Sequence, residues 1–103
     1  MTAATPAEKQ LEGELWRCVR ECRVLGYNPT YFAQMLDEQG GLRTSKRLIN
    51  DSTPSDGFTK LWELRRLNLT VEAVALRAPY SALFTQVERI KARRRLEDYD
   101  YKP

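Results

Sequence analysis

Apolar positions recur every three or four residues along this chain, with polar punctuation between them, and that period predicts helix almost throughout. The first stripe is Leu11, Leu15, Cys18, Val19, Cys22 and Leu25. Thr5 stands ahead of it as an N-cap, with Pro6 at the first helical position and Glu8 placed to close a capping box. Gly26 ends the segment as a left-handed cap. Asn28 caps a second helix that starts at Pro29, with Tyr27 and Phe32 at the two positions of a hydrophobic staple. Tyr31, Phe32, Met35 and Leu36 form its apolar face, Gly40-Gly41 breaks it, and a short third helix follows over about 42–49.

Residues 50–57 form a loop by composition. Its end starts a fourth helix, with Thr53 as cap, Pro54 first and Asp56 answering three residues on; Phe58, Leu61, Trp62 and Leu64 give the core stripe. Leu67, Leu69 and Val71 alternate with Asn68 and Thr70 as a linker, because Thr70 makes a good cap for a fifth helix, with Leu69 and Val74 as its staple. That helix ends before Pro79, since the residue ahead of a proline avoids the helical region. Residues 80–84 make one turn, and a capping box of Thr85 and Glu88 opens a last helix that runs to about Tyr99. On that helix Val87 and Ile90 share one side while Leu96 and Tyr99 fall on another, so it bends or is covered on both sides. Arg93 lies between Ile90 and Leu96 on the wheel, a place for burial against a carboxylate or for a partner. The pattern predicts one all-α domain over 1–103, a compact orthogonal bundle of five to seven short helices, with 1–5 and 100–103 as flexible ends.

Composition narrows the chemistry. At 103 residues and 42% hydrophobic, the chain has apolar material for one core and little room for an enclosed active site. The chain has no histidine, which removes Ser-His and Cys-His pairs and the usual proton shuttle near neutral pH. No two acids stand out as a catalytic dyad, so a non-enzymatic protein is expected. Cys18 and Cys22 lie on one face of a helix, poorly aimed for a disulfide, and read as reduced and buried. With no third cysteine, four-ligand zinc is excluded, and neither metal nor cofactor is expected. The longest apolar run, 71–76, contains Glu72 and is far too short to span a membrane, and no leader pattern opens the chain; the expected location is the cytoplasm.

Charge distribution changes the picture more than its total of +3. Residues 39–95 hold twelve basic groups against five acidic ones, whereas the stretches on either side are net acidic. Two clusters dominate: Arg43, Lys46 and Arg47 on the third helix, and Arg89, Lys91, Arg93, Arg94 and Arg95 on the last. Arginine's planar fork suits phosphate and carboxylate alike. These eight side chains are therefore candidates for contact with nucleic-acid phosphates or an acidic partner, against the plainer reading that they pair with Glu88, Glu97, Asp98 and Asp100.

Three smaller signals accompany them. The second helix, the glycine pair and the third helix, with Arg43, Thr44, Ser45, Lys46 and Arg47, invite a helix-turn-helix reading, although the glycines come late relative to Ala33. Pro54-Ser55-Asp56-Gly57 admits an anion-cradling turn, which Asp56 would oppose and plain capping also explains. Trp62 reads as core, since a base-stacking role would need an exposed indole. Trp16 lies off the first stripe and, with Tyr99 and Tyr101, is a candidate anchor for a protein partner.

The segments Gly26-Tyr27-Asn28-Pro29 with Phe32, then Gly40-Gly41, Pro54-Ser55-Asp56-Gly57-Phe58 with Leu61-Trp62-Glu63-Leu64, Leu67-Asn68-Leu69-Thr70-Val71-Glu72-Ala73 and Leu83-Phe84, stand in this order. In that combination the chain resembles a family of small bacterial proteins of unassigned function, over about residues 24–101. The resemblance implies an association with bacterial defence systems and nucleic-acid enzymes, and it assigns no catalytic residue. The expected function is thus a nucleic-acid-associated accessory module that grips DNA or RNA through phosphate. The alternative is a protein-interaction adaptor, homodimer or small subunit of a larger complex.

Overall fold

The computed structural model describes residues 4–103 and is all-α over that range, with no strand among the described residues. The helices are α1 (Pro6–Val24), α2 (Thr30–Gln39), α3 (Gly41–Asn50), α4 (Asp56–Glu63), α5 (Val71–Ala75) and α6 (Gln86–Asp98); single 3-10 turns at Leu67–Leu69 and Tyr80–Leu83 flank α5. The six helices of the described residues fall within the five to seven expected. The radius of gyration, 12.7 Å, matches the roughly 13 Å of a folded domain of this length.

Local chemistry fixes most boundaries. The Thr5 hydroxyl accepts from Glu8 N–H at 3.2 Å, and Pro6 opens α1 where no donor is needed. α1 closes through Gly26 at φ +86°, with Gly26 and Tyr27 N–H donating back to the Arg23 and Cys22 carbonyls. α4 and α6 end in the same way, except that Arg65 and Asp100 occupy the left-handed position at φ 60° and 63°. At α6 the reciprocal capping box forms as expected.

Two helix starts differ from the sequence reading. α2 begins at Thr30 with Pro29 as its N-cap, because the Asn28 side chain accepts from Arg23 Nε at 3.2 Å and is not free to cap. α4 begins at Asp56 rather than Pro54; Ser55, not Thr53, accepts from Phe58 N–H at 3.1 Å. The expected flexible ends fare differently. Residues 1–3 lie outside the described residues, whereas Tyr101 is tied to the Leu96 carbonyl at 2.9 Å and packs on the core.

The main core runs through Leu11, Leu15, Cys18 and Val19 of α1, Leu36, Ile49 and the short α5. Every residue of α5 is buried, Glu72 included, and the helix touches α1, α3, α6 and both 3-10 turns. A second cluster of Phe58, Leu67, Ala73 and Leu96 lies under Tyr99 and Tyr101. Thus α6 is covered along one side only: Glu88, Ala92 and Leu96 face inward, while Val87 and Ile90 are exposed. Trp62 departs from expectation. It is 45% exposed, because Phe58 and Leu61 take the inner face of α4 and leave the indole at the edge against Tyr99.

Glycine is required where α3 meets α1. Gly40 sits at φ +81°, and a Cβ on Gly41 would stand 2.9 Å from the Glu12 Cα. The Glu12 carboxylate then accepts from Gly41 N–H at 3.0 Å, capping α3 from across the fold at the end where an anion is favoured.

Candidate functional site

The two basic clusters meet along the seam between α3 and α6, and Glu88 is the joint. Its side chain first closes the α6 capping box by accepting from Thr85 N–H at 2.9 Å. The same oxygen accepts from Lys46 Nζ at 2.7 Å, and the other accepts from Asn50 Nδ2 at 2.9 Å. Asn50 also accepts from Lys91 Nζ at 3.2 Å. Burial would raise the Glu88 carboxyl, but the bonds from Lys46, Thr85 N–H and Asn50 outweigh it and hold it down at about 2.

Helical period decides which side chains share this face. On α3, Gly41, Thr44, Ser45 and Ile49 are buried, so Arg43, Lys46, Arg47 and Asn50 line the outer side at spacings of three and four. On α6, Lys91 and Arg94 continue the outer side from Asn50, alongside Val87 and Ile90. Arg43, Arg47, Lys91 and Arg94 are all exposed, and none has an ion pair among the described residues.

The remaining candidates are placed otherwise. Lys46 is on the face, but its charge is matched by Glu88. Arg89 turns inward and donates to the Ser81 and Phe84 carbonyls, closing the end of the second 3-10 turn. Arg93 is exposed on the opposite flank of α6 from Lys91, with buried Ala92 between them. Arg95 is structural: it donates to Glu72 at 2.9 Å, to the Leu48 carbonyl at 3.0 Å and to the Asp51 carbonyl at 2.6 Å. It is therefore Arg95, not Arg93, that lies buried against a carboxylate. Burial pushes the Glu72 carboxyl up, against the opposing bond from Arg95.

Thr44 and Ser45, part of the helix-turn-helix reading, are core residues; Thr44 donates to the Met35 carbonyl at 3.1 Å. The turn at Pro54–Gly57 is occupied by the Ser55 cap, with exposed Asp56 at the first helical position, which leaves it unsuited to an anion. Of the three partner anchors, Trp16 packs half-buried against the main core, whereas Tyr99 and Tyr101 belong to the second cluster. What sequence reasoning missed is Trp62 beside them. Its signal was the single-residue step from Leu61, which rotates it off the inner face.

A cavity of about 330 Å³ opens between α1, the start of α2 and the loop ahead of α4, lined by Cys18, Cys22, Phe32, Leu61 and Val71. Both cysteines are free and buried; burial pushes the Cys18 thiol up to about 11 and raises Cys22 as well, so neither is a ready thiolate. Among the described residues, no group of three or more Cys, Asp or Glu side chains is placed to hold a metal ion, and no helix is long and apolar enough to cross a membrane. No protein-family model, curated protein or solved structure matches the chain.

Proposed function

We propose that the protein is a non-catalytic nucleic-acid-associated module that holds the phosphate backbone along the outer face of α3 and α6. One observation carries the reading. The Lys46–Glu88–Asn50–Lys91 network ties the two helices side by side, and Arg43, Arg47, Lys91 and Arg94 stand exposed on their outer sides with no ion pair among the described residues. Contacts of this kind are to phosphate and carry no base identity, so the reading covers DNA and RNA alike. It uses fewer residues than the sequence suggested, because Lys46, Arg89 and Arg95 are engaged within the fold.

The test is the salt dependence of binding to a fluorescent duplex, measured by anisotropy. If all four free cations reach phosphate, the slope of log K against log salt is about −3.6 on duplex DNA, and R94A reduces its magnitude by about 1. The variant R43A/R47A/K91A/R94A loses retention at low salt, while R93A on the far flank keeps it. Absence of binding at low salt, or affinity indifferent to salt, overturns the proposal.

A further inference from the structure

The chain carries a second surface of the opposite character. At the end of the molecule where α4 and α6 terminate, Trp62, Tyr99 and Tyr101 wall a cleft with Leu67 at its floor. Tyr99 is fixed in place: its ring stands 5.0 Å from Phe58 at 73° and 5.3 Å from Trp62 at 75°, both edge contacts. Trp62, packed against it, still leaves nearly half its surface in water.

Acids outnumber cations in the lining of this cleft, Glu63 and Asp100 against Arg65. A helix C-terminus carries partial negative charge on its free carbonyls, which favours cations and disfavours acids. Yet α4 ends on Glu63 and Asp100 follows α6 in the left-handed cap position, both lining the cleft, while Glu97 and Asp98 end α6 outside its lining. None of these four carboxylates has an ion pair among the described residues. Arg65 stands at the rim, but the cation found over an aromatic ring among the described residues is Lys46 over Phe84, elsewhere in the fold.

We infer that this aromatic cleft receives a lysine or arginine side chain of a protein partner. The ring faces attract a cation, the apolar floor accepts its methylene stem, and the unpaired Glu63 and Asp100 carboxylates with the helix ends supply countercharge. A nucleic acid does not suit the cleft, since the same carboxylates repel phosphate. The inference uses none of the α3 and α6 side chains invoked for phosphate binding, so either can fail alone.

Solution NMR on the whole chain tests it, with a short alanine-spaced arginine peptide, its lysine counterpart and a glutamine-substituted control as probes. The expected result is a saturable shift of the Trp62 indole N–H and of amides in 62–67 and 97–101 with both cationic peptides and not with the control. In E63Q/D100N, affinity falls at least tenfold. Both side chains are exposed and free of hydrogen bonds among the described residues, and asparagine tolerates the backbone at Asp100, so the fold is retained. Equal binding of the glutamine peptide, undiminished binding to the variant, or shifts confined to other faces would overturn the inference. So would a dimeric mass by light scattering that E63Q/D100N abolishes, because the cation in the cleft would then be the chain's own.

Discussion

Replacing Arg95 by methionine keeps the aliphatic stem and removes the charge, leaving Glu72 with a side chain 3% exposed and no countercharge. The cheapest response of a carboxylate so placed is to bind a proton. At pH 7, against the ordinary value of 4.5, that costs at most about 3 kcal/mol more than in the wild type, where burial already raises Glu72 in spite of Arg95. The Leu48 carbonyl also loses a charged donor, about 1 kcal/mol more, while the more exposed Asp51 carbonyl turns to water. A loss of up to about 4 kcal/mol follows, within the range for breaking a buried pair. With a urea slope of about 1.5 kcal/mol per molar, the unfolding midpoint moves down by up to about 2–3 M. The sign with pH is fixed: in R95M the native state holds a proton that the unfolded chain releases, so stability falls as pH rises above about 4.5. At pH 5 the protonation cost is below about 1 kcal/mol, and the gap to the wild type shrinks to about 1–2 kcal/mol. The double variant E72L/R95M recovers most of the loss at pH 7, because no charge is then stranded. A midpoint shift under about 0.5 M at pH 7, or one as large at pH 5, refutes this account of Arg95.

Glu88 behaves in the opposite sense. Its native carboxyl is held at about 2 against 4.5, so the unfolded chain binds the extra proton and stability is lost as pH falls through that window. Discounted for the water reaching Lys46, the contribution is about 2 kcal/mol. Urea titrations of E88Q should start lower at pH 7 by that amount and show a flatter acid limb. Glycine changes in neighbouring helices should differ in sign: G13A, mid-helix in open space, raises stability by about 0.5–1 kcal/mol, whereas G41A meets the Glu12 backbone and lowers it by about 1–3 kcal/mol. Thermal midpoints by circular dichroism read both. Removing the Ser55 hydroxyl with S55A costs about 1 kcal/mol in the same assay, while T53A, outside the cap, changes little.

The helices were legible because their signals are local. Thr5, Thr70 and Thr85 cap where the spacing placed them, and Gly26 terminates α1. The two misplaced starts have different causes: Asn28 is held by Arg23, which leaves α2 with Pro29 and no side-chain cap, whereas at α4 two hydroxyls stood near the start and the chain path put Ser55 rather than Thr53 at the cap. The candidate site was only partly legible, since whether an arginine is free depends on residues distant in sequence. Arg95 and Arg94 are adjacent, yet one is bonded to Glu72 and two carbonyls while the other is exposed, a distinction set by where α3 and α5 lie. Trp62 was misjudged for a related reason. Its neighbours Phe58 and Leu61 satisfy the inner face, and the wheel alone does not say how much of the flank a later tyrosine covers.

The five-residue α5 has a consequence for how the chain becomes a protein. A helix so short has no standing alone in water, where about 12–15 residues are needed for even marginal helicity. It exists because segments from both ends of the sequence wrap it, which makes the bundle a single cooperative unit. A protease cutting the exposed stretch 51–53 would separate α1–α3 from the rest on paper only. The nicked halves would stay clasped around α5, and each alone would unravel.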